Sequence, residues 1–242
     1  MPTNIDQGRY NDSPKSKTYD VDLVLCIDGT GSMSPIIEQT KKNVLNLPDD
    51  ILREAEAQSK KIGNLRVRIV VFRDYRSDDE YAMQTTPFFD LPQEKEALHE
   101  IVSEIIASGG GDEPEDALEG LAYAMLSDWQ EERSSILRRQ IIAVWTDASA
   151  HDLGFGKASE YYDPMLPKSF DELTDWWGDD EGPDCKMDYN AKRLALFAPN
   201  VKPWNVLSNS WDNVILYPST AGKGLAERDY LQIVQLLVKT LS

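Results

Sequence analysis

Cysteine is scarce in this sequence: Cys26 and Cys185 are the whole complement. Two thiols exclude a disulfide framework and a cysteine zinc site, and both are read as free. Long hydrophobic runs are missing as well. No stretch approaches the length that crosses a bilayer, and the opening MPTNIDQGRYNDSPKSKTYD has no apolar segment of the signal-peptide kind. A cytoplasmic protein with no membrane contact is therefore expected. Positive charge is in short supply: 25 Lys and Arg stand against 42 Asp and Glu, a formal net charge of −17. Such a field repels nucleic acid and attracts cations and basic partners. Only two histidines occur, His99 and His151, and neither stands close enough in sequence to Ser32 to make it an activated nucleophile. A Walker A loop is also lacking, since AGKG at 221–224 has neither the upstream glycine spacing nor a following Ser or Thr.

What is present is an ordinary globular composition, 41% hydrophobic over 242 residues, enough for one sizeable α/β domain. Residues 1–19 are polar and read as a flexible arm, and 20–242 as a single domain without internal repeats. Val21 to Ile27 is a near-continuous apolar run, the mark of a central strand covered on both faces. Helical spacing follows from Pro35 to Ser59. Leu65 to Phe72 alternates as a strand, Met83 to Phe89 reads as a short edge strand, and Glu94 to Ala107 as an amphipathic helix. A glycine turn leads to a helix over Pro114–Leu126, and Ile141 to Trp145 forms the next buried strand. An aromatic and acidic insertion fills about 148–190, with one short helix near Phe170–Trp177. Strands at Leu194–Ala198 and Val214–Tyr217 flank a brief helix near Trp204–Asn209, and Glu227–Leu241 closes the chain as a helix. This alternation predicts a three-layer, doubly wound, mostly parallel sheet with one short antiparallel edge strand.

In such a sheet ligands bind beyond the carboxyl ends of the strands. Three segments bring oxygen-bearing side chains there: Asp28, Thr30 and Ser32; Asp112 after Gly111; and Asp147 after Thr146. Asp, Thr and Ser at alternate positions of a glycine-containing loop aim three oxygens at one point. Oxygen-only ligation selects a hard cation, Mg2+ first, with Mn2+ or Ca2+ as alternatives.

The segments IDGTGSM at 27–33, GGGDEPEDAL at 109–118 and VWTDA at 144–148 together resemble the metal-ion-dependent adhesion site of the von Willebrand factor type A domain family. The resemblance runs over residues 20–242 and implies that family's Rossmann-like fold, with Asp28, Thr30, Ser32, Asp112 and Asp147 as metal ligands. Many members carry Thr in the second loop, where this chain has Asp112; a second carboxylate would hold the ion more firmly and weaken its pull on a partner's carboxylate. With FRDY at 72–75, the chain looks closest to bacterial cytoplasmic stand-alone members. That likeness implies a protein-binding module, meeting its partner through the metal face and the 148–190 insertion, and working with kinase, phosphatase or ATPase partners in stress response or defence.

Other readings stand beside this one. A Mg2+-dependent phosphate-chemistry hydrolase is one, since CIDGT at 26–30 superficially resembles a phosphatase signature, although Cys26 takes the nucleophile's place. A scaffold whose cation only pins loops together is another. Asp112 doubles as a helix N-cap candidate, and Glu113 and Glu115 read as first-turn acids that favour the helix dipole. Arg73 and Asp74 read as a structural ion pair. His151 is either a partner contact or a loop residue, and Trp176 and Trp177 are read as packing in the insertion's own core, with an exposed recognition Trp as the alternative.

Overall fold

The apolar run around Leu23 becomes the middle of the sheet. In the computed structural model, which describes residues 17–111, 113–131, 133, 136–179 and 182–241, β1 spans Thr18–Asp28. Its side chains alternate between two cores, Leu23, Leu25 and Ile27 entering one and Val24 and Cys26 the other. Residues 1–16 of the expected arm, and Asp112, lie outside the described residues; Thr18 and Tyr19, assigned to that arm, already pair in the sheet.

Strand β2 (Lys61–Phe72) runs parallel to β1 on one side and β5 (Leu137–Trp145) on the other. Beyond β5 come β6 (Lys192–Pro199) and β7 (Val214–Ser219), again parallel. The expected edge strand is two short pieces, β3 (Met83–Thr85) and β4 (Phe89–Leu91), each antiparallel to β2 at a different point along it. The order is β3-β2-β1-β5-β6-β7, with β4 also on β2.

Helices α1 (Ser34–Asn43), α2 (Leu47–Ala57), α3 (Lys95–Glu104) and α7 (Tyr230–Lys239) feed one core through Ile36, Ile51, Leu98 and Ile233. Helices α4 (Ala117–Met125), α5 (Phe170–Trp177) and α6 (Trp204–Ser210) feed the other through Leu121, Trp177 and Trp204. The single helix expected over Pro35–Ser59 is interrupted by a 3-10 turn at Val44–Asn46. Pro48, early in α2, lacks the N–H that a continuous helix would need there. Helix α4 starts at Ala117 instead of Pro114, which leaves Glu115 and Asp116 outside it. In the insertion, α5 has the expected bounds and is capped by Ser169, whose Oγ accepts from Glu172 N at 3.2 Å. Trp176 and Trp177 are buried, Trp177 stacking on Trp211 at 5.5 Å between ring centroids, so the packing reading holds. No helix among the described residues is long and apolar enough to cross a membrane.

Candidate metal centre

The path from β1 to β2 runs over the α1/α2 face, whereas the path leaving β5 carries α5 on the opposite face. A crevice therefore opens between the carboxyl ends of β1 and β5, as in other doubly wound sheets. Asp28 ends β1, and Thr146 and Asp147 follow β5 directly.

Four of the five predicted residues meet there. Asp28 Oδ1 accepts from Thr30 N at 2.9 Å and from Thr30 Oγ1 at 2.6 Å, while Thr146 Oγ1 donates to Asp28 Oδ2 at 2.7 Å. Thr30 Oγ1 and Ser32 Oγ lie 3.4 Å apart, and Ser32 Oγ donates to Asp147 Oδ1 at 2.8 Å. The loop after β7 grips Asp147 from the far side: Gly224 N donates to Oδ2 at 2.6 Å and Gly222 N to the carbonyl oxygen at 2.9 Å. The fifth residue, Asp112, falls outside the described residues.

The cluster fits a small hard cation. Its donors are all oxygen, and their spacings of 2.6 to 3.4 Å bracket the ~2.9 Å edge of an octahedron with bonds near 2.05 Å. Asp28 is fully enclosed and Asp147 nearly so. Among the described residues no lysine or arginine nitrogen lies within 4 Å of either carboxylate. Burial pushes the Asp28 carboxyl up to about 6, with Asp147 adding to the shift and hydrogen bonds from Thr30 and Thr146 opposing it. A divalent ion would relieve that penalty. The mouth is a depression of about 280 Å³ bordered by Thr30, Ser32, Glu113, Glu115 and Asp147.

Arg73 and Asp74 do not form the expected ion pair. The Arg73 guanidinium is spent on carbonyls from three segments, donating to Gly29 O (3.1 Å), Ser108 O (3.0 Å), Tyr81 O (2.9 Å) and Ile106 O (2.8 Å), and to Gln84 Oε1 (3.0 Å). Asp74 instead accepts from Arg76 N (2.7 Å) and Ser77 Oγ (3.1 Å). Arg73 is thus the brace of the rim.

Glu115 is a site residue that its reading as a first-turn acid missed. Its backbone is bridged to the loop after β5, with Glu115 N donating to Ser149 O (3.3 Å) and His151 N to Glu115 O (2.9 Å). That bridge pulls it out of the helix and into the rim. It is 5% exposed, and among the described residues Oε2 has no hydrogen-bond partner. Burial, then the charges of Asp28, Asp74, Asp78 and Asp116, push the carboxyl up to about 9. Glu119, in the apolar stretch of α4, is completely buried, and burial followed by Asp116 raises it to about 8. The available signal was density: four acids between 113 and 119 beside an otherwise apolar helix. His151 turns inward, near Asp74 and Asp116. The two cysteines are free, and burial pushes the Cys26 thiol far above its ordinary range.

Known proteins bear on this geometry in two ways. A family model described as the von Willebrand factor A domain matches residues 22–158. Over 158 residues the chain is 28% identical to the alpha-protein kinase vwkA of Dictyostelium discoideum, an alignment spanning 64% of this chain but only 23% of that protein. Among solved structures, the pilus adhesin SpaC from Lactobacillus rhamnosus GG superposes with a TM-score of 0.50 at 13% identity, covering 93% of this chain and 32% of that one. Proximal thread matrix protein 1 from the mussel byssus also gives 0.50, at 12% identity over 92% of this chain and 48% of that one. At such identities the likeness concerns the fold.

Proposed function

Because this chain belongs to the von Willebrand factor A domain family, whose members are in general protein-interaction modules, we propose that it binds a protein partner in a divalent-cation-dependent manner. The ion, Mg2+ before Mn2+ or Ca2+, would be held by Asp28, Thr30, Ser32 and Asp147, with Asp112 as the fifth predicted ligand, and would offer an open position to an oxygen of the partner. The observation that carries this reading is the convergence of those side-chain oxygens in one hydrogen-bonded cluster, with no lysine or arginine nitrogen among the described residues within 4 Å of either carboxylate.

Residues 20–242 are read as one such domain, with the 148–190 insertion beside the metal face as part of the contact surface. Glu115 sharpens the binding mode. Once a bound ion favours its ionised form, this buried carboxyl at the mouth would add negative charge beside the ion, so a neutral donor, such as a backbone carbonyl or a hydroxyl, suits the open position better than a strongly acidic peptide. The hydrolase alternative gains nothing from Cys26, which is enclosed and held as a thiol. A bacterial, cytoplasmic role with a kinase, phosphatase or ATPase partner in stress response or defence completes the proposal. The kinase in the name of the Dictyostelium relative makes a kinase the first partner class to try.

Calorimetric titration of EDTA-stripped protein with Mg2+ is expected to give one site, lost in Asp28→Ala. Partner capture from native lysate should require Mg2+ and the intact Asp28. A partner retained equally well in EDTA would overturn the cation-dependent mechanism.

A further inference from the structure

Where the end of β2, the start of α4 and the loop after β5 meet, a second set of donors comes together. Asp74, Asp116 and His151 are all buried, and their ligand atoms lie within 4.8 Å of one another. Each is set in place by its own segment. Tyr75 N donates to Asp116 Oδ2 at 2.7 Å and Asp116 N to Arg73 O at 3.1 Å, which ties the entry of α4 to the end of β2. Asp74 is fixed by Arg76 N and Ser77 Oγ. His151 is anchored through its backbone to Glu115 O, and its ring stacks on Phe155 with centroids 3.7 Å apart and planes within 14°.

We propose that Asp74, Asp116 and His151 form a second cation site, separate from the Asp28 cluster and built for a first-row transition ion of the Zn2+ class. The donor set carries the choice of ion. One imidazole nitrogen with two carboxylates favours Zn2+, Fe2+ or Mn2+ over Mg2+, which takes oxygen and water almost exclusively. A tetrahedral ion needs ligand atoms ~3.4 Å apart, so closing from the 4.8 Å limit asks each side chain to move less than ~1 Å.

A second, independent observation points to the same ion. Among the described residues Oε2 of Glu119 has no hydrogen-bond partner, although Glu119 is completely buried. After burial itself, the charge of Asp116 is the first cause that raises the Glu119 carboxyl, and Glu119 sits one turn beyond it, where i and i+3 side chains share a helix face. Among the described residues no lysine or arginine nitrogen lies within 4 Å of Asp74, Glu115 or Glu119. Glu119 is thus enclosed beside Asp116, and a cation held there would relieve the cost of burying its charged form.

The insertion closes the site. Gly154 N donates to Glu119 Oε1 at 2.8 Å and Tyr162 OH reaches the same oxygen at 3.4 Å, so residues just beyond His151 seal the carboxylates from water. On its other side His151 borders a cleft of about 430 Å³ together with Leu153, Phe170 and Lys202. A bound ion would clamp the insertion onto β2 and α4.

The test uses the full chain, stripped with EDTA, returned to excess Mg2+ and titrated with Zn2+. Wild-type protein and Asp28→Ala should each bind one Zn2+. Asp116→Asn and His151→Gln should lose affinity by roughly 100-fold or more, since even outer-shell losses cost about 10–100-fold. Zn2+ binding unchanged in a folded His151→Gln protein overturns the site, as does the absence of Zn2+ binding by the wild type. Should both variants misfold, nitrogen NMR of the wild type decides, because only His99 and His151 contribute imidazole signals. One ring must shift on adding one equivalent of Zn2+, and if neither moves the site does not exist. A protein that takes Zn2+ but no Mg2+ would keep this site and remove the Asp28 reading instead.

Discussion

At the end of β1 a single five-residue loop supplies Asp28, Thr30 and Ser32, and among the described residues Thr146 and Asp147 join them from the end of β5. The neighbouring cluster takes one residue from each of three segments, Asp74 after β2, Asp116 before α4 and His151 after β5. The first is all oxygen and opens to solvent at its mouth; the second contains an imidazole and lies beneath the insertion. One rim of one sheet thus presents two chemistries. Hydroxyls and carboxylates gathered locally suit a hard ion that a partner can reach, whereas a buried mixed set suits a softer ion that holds loops together.

The largest expected effect removes what the two clusters share. Arg73→Leu would strip donors from the carbonyls of Gly29, Ser108, Tyr81 and Ile106. With buried acceptors at about 1–3 kcal/mol each, a loss of roughly 3 kcal/mol or more is expected in urea unfolding, with weaker binding of both Mg2+ and Zn2+. A variant that lost only one ion would show the clusters to be mechanically independent.

A matched pair of glycine substitutions should separate them. Gly224 has φ +55°, its N–H holds Asp147, and a Cβ there would run into the Ser32 carbonyl oxygen. At Gly156 a Cβ would stand 2.5 Å from Tyr75 Cβ and 3.0 Å from Asp116 Oδ2. Each change to Ala is expected to cost about 1–3 kcal/mol. Gly224→Ala should weaken Mg2+ roughly tenfold and spare Zn2+, on the scale of a lost outer-shell contact. Gly156→Ala should do the reverse, and calorimetry with each ion reads both.

The smallest effect is on pH dependence. Without metal, Asp28 is held up to about 6, Glu119 to about 8 and Glu115 to about 9, against ordinary values of 3.8 and 4.5. The folded chain therefore binds more protons than the unfolded one between about pH 4 and pH 9, so these groups favour folding at the acid end of that window and lose that contribution as pH rises through it. In EDTA, the contribution of these carboxylates should fall between about pH 5 and pH 8, and saturating Mg2+ and Zn2+ should flatten the fall. Glu115→Gln and Glu119→Gln should reduce the slope; an unchanged slope in the double variant would contradict the assignment.

What the sequence disclosed follows the same division. Strands covered on both faces, such as Val21–Ile27 and Ile141–Trp145, are continuous apolar runs and were legible, as was the Asp28-Thr30-Ser32 spacing, because a loop motif is local. Lys61–Asn64 joined β2 unnoticed because polar residues there pair with β1 near the sheet's margin. Glu115 was misread for a different reason. Its helix-start pattern is real, but the bridge to Ser149 and His151 overrides it, and that bridge joins segments more than thirty residues apart in the chain. His151 could not be assigned a direction from sequence, since only the path of the insertion turns it inward.

The hydrogen bonds that close the Asp28 cluster, Thr146 to Asp28 and Ser32 to Asp147, span 118 and 115 residues. During synthesis the Asp28 loop emerges first, and its closing residues follow more than a hundred residues later. Such long-range closures pay their loop entropy before any contact rewards them. A nascent chain therefore carries the motif long before it carries the site, and the docking of β5 against β1 is the step that assembles the oxygen cluster.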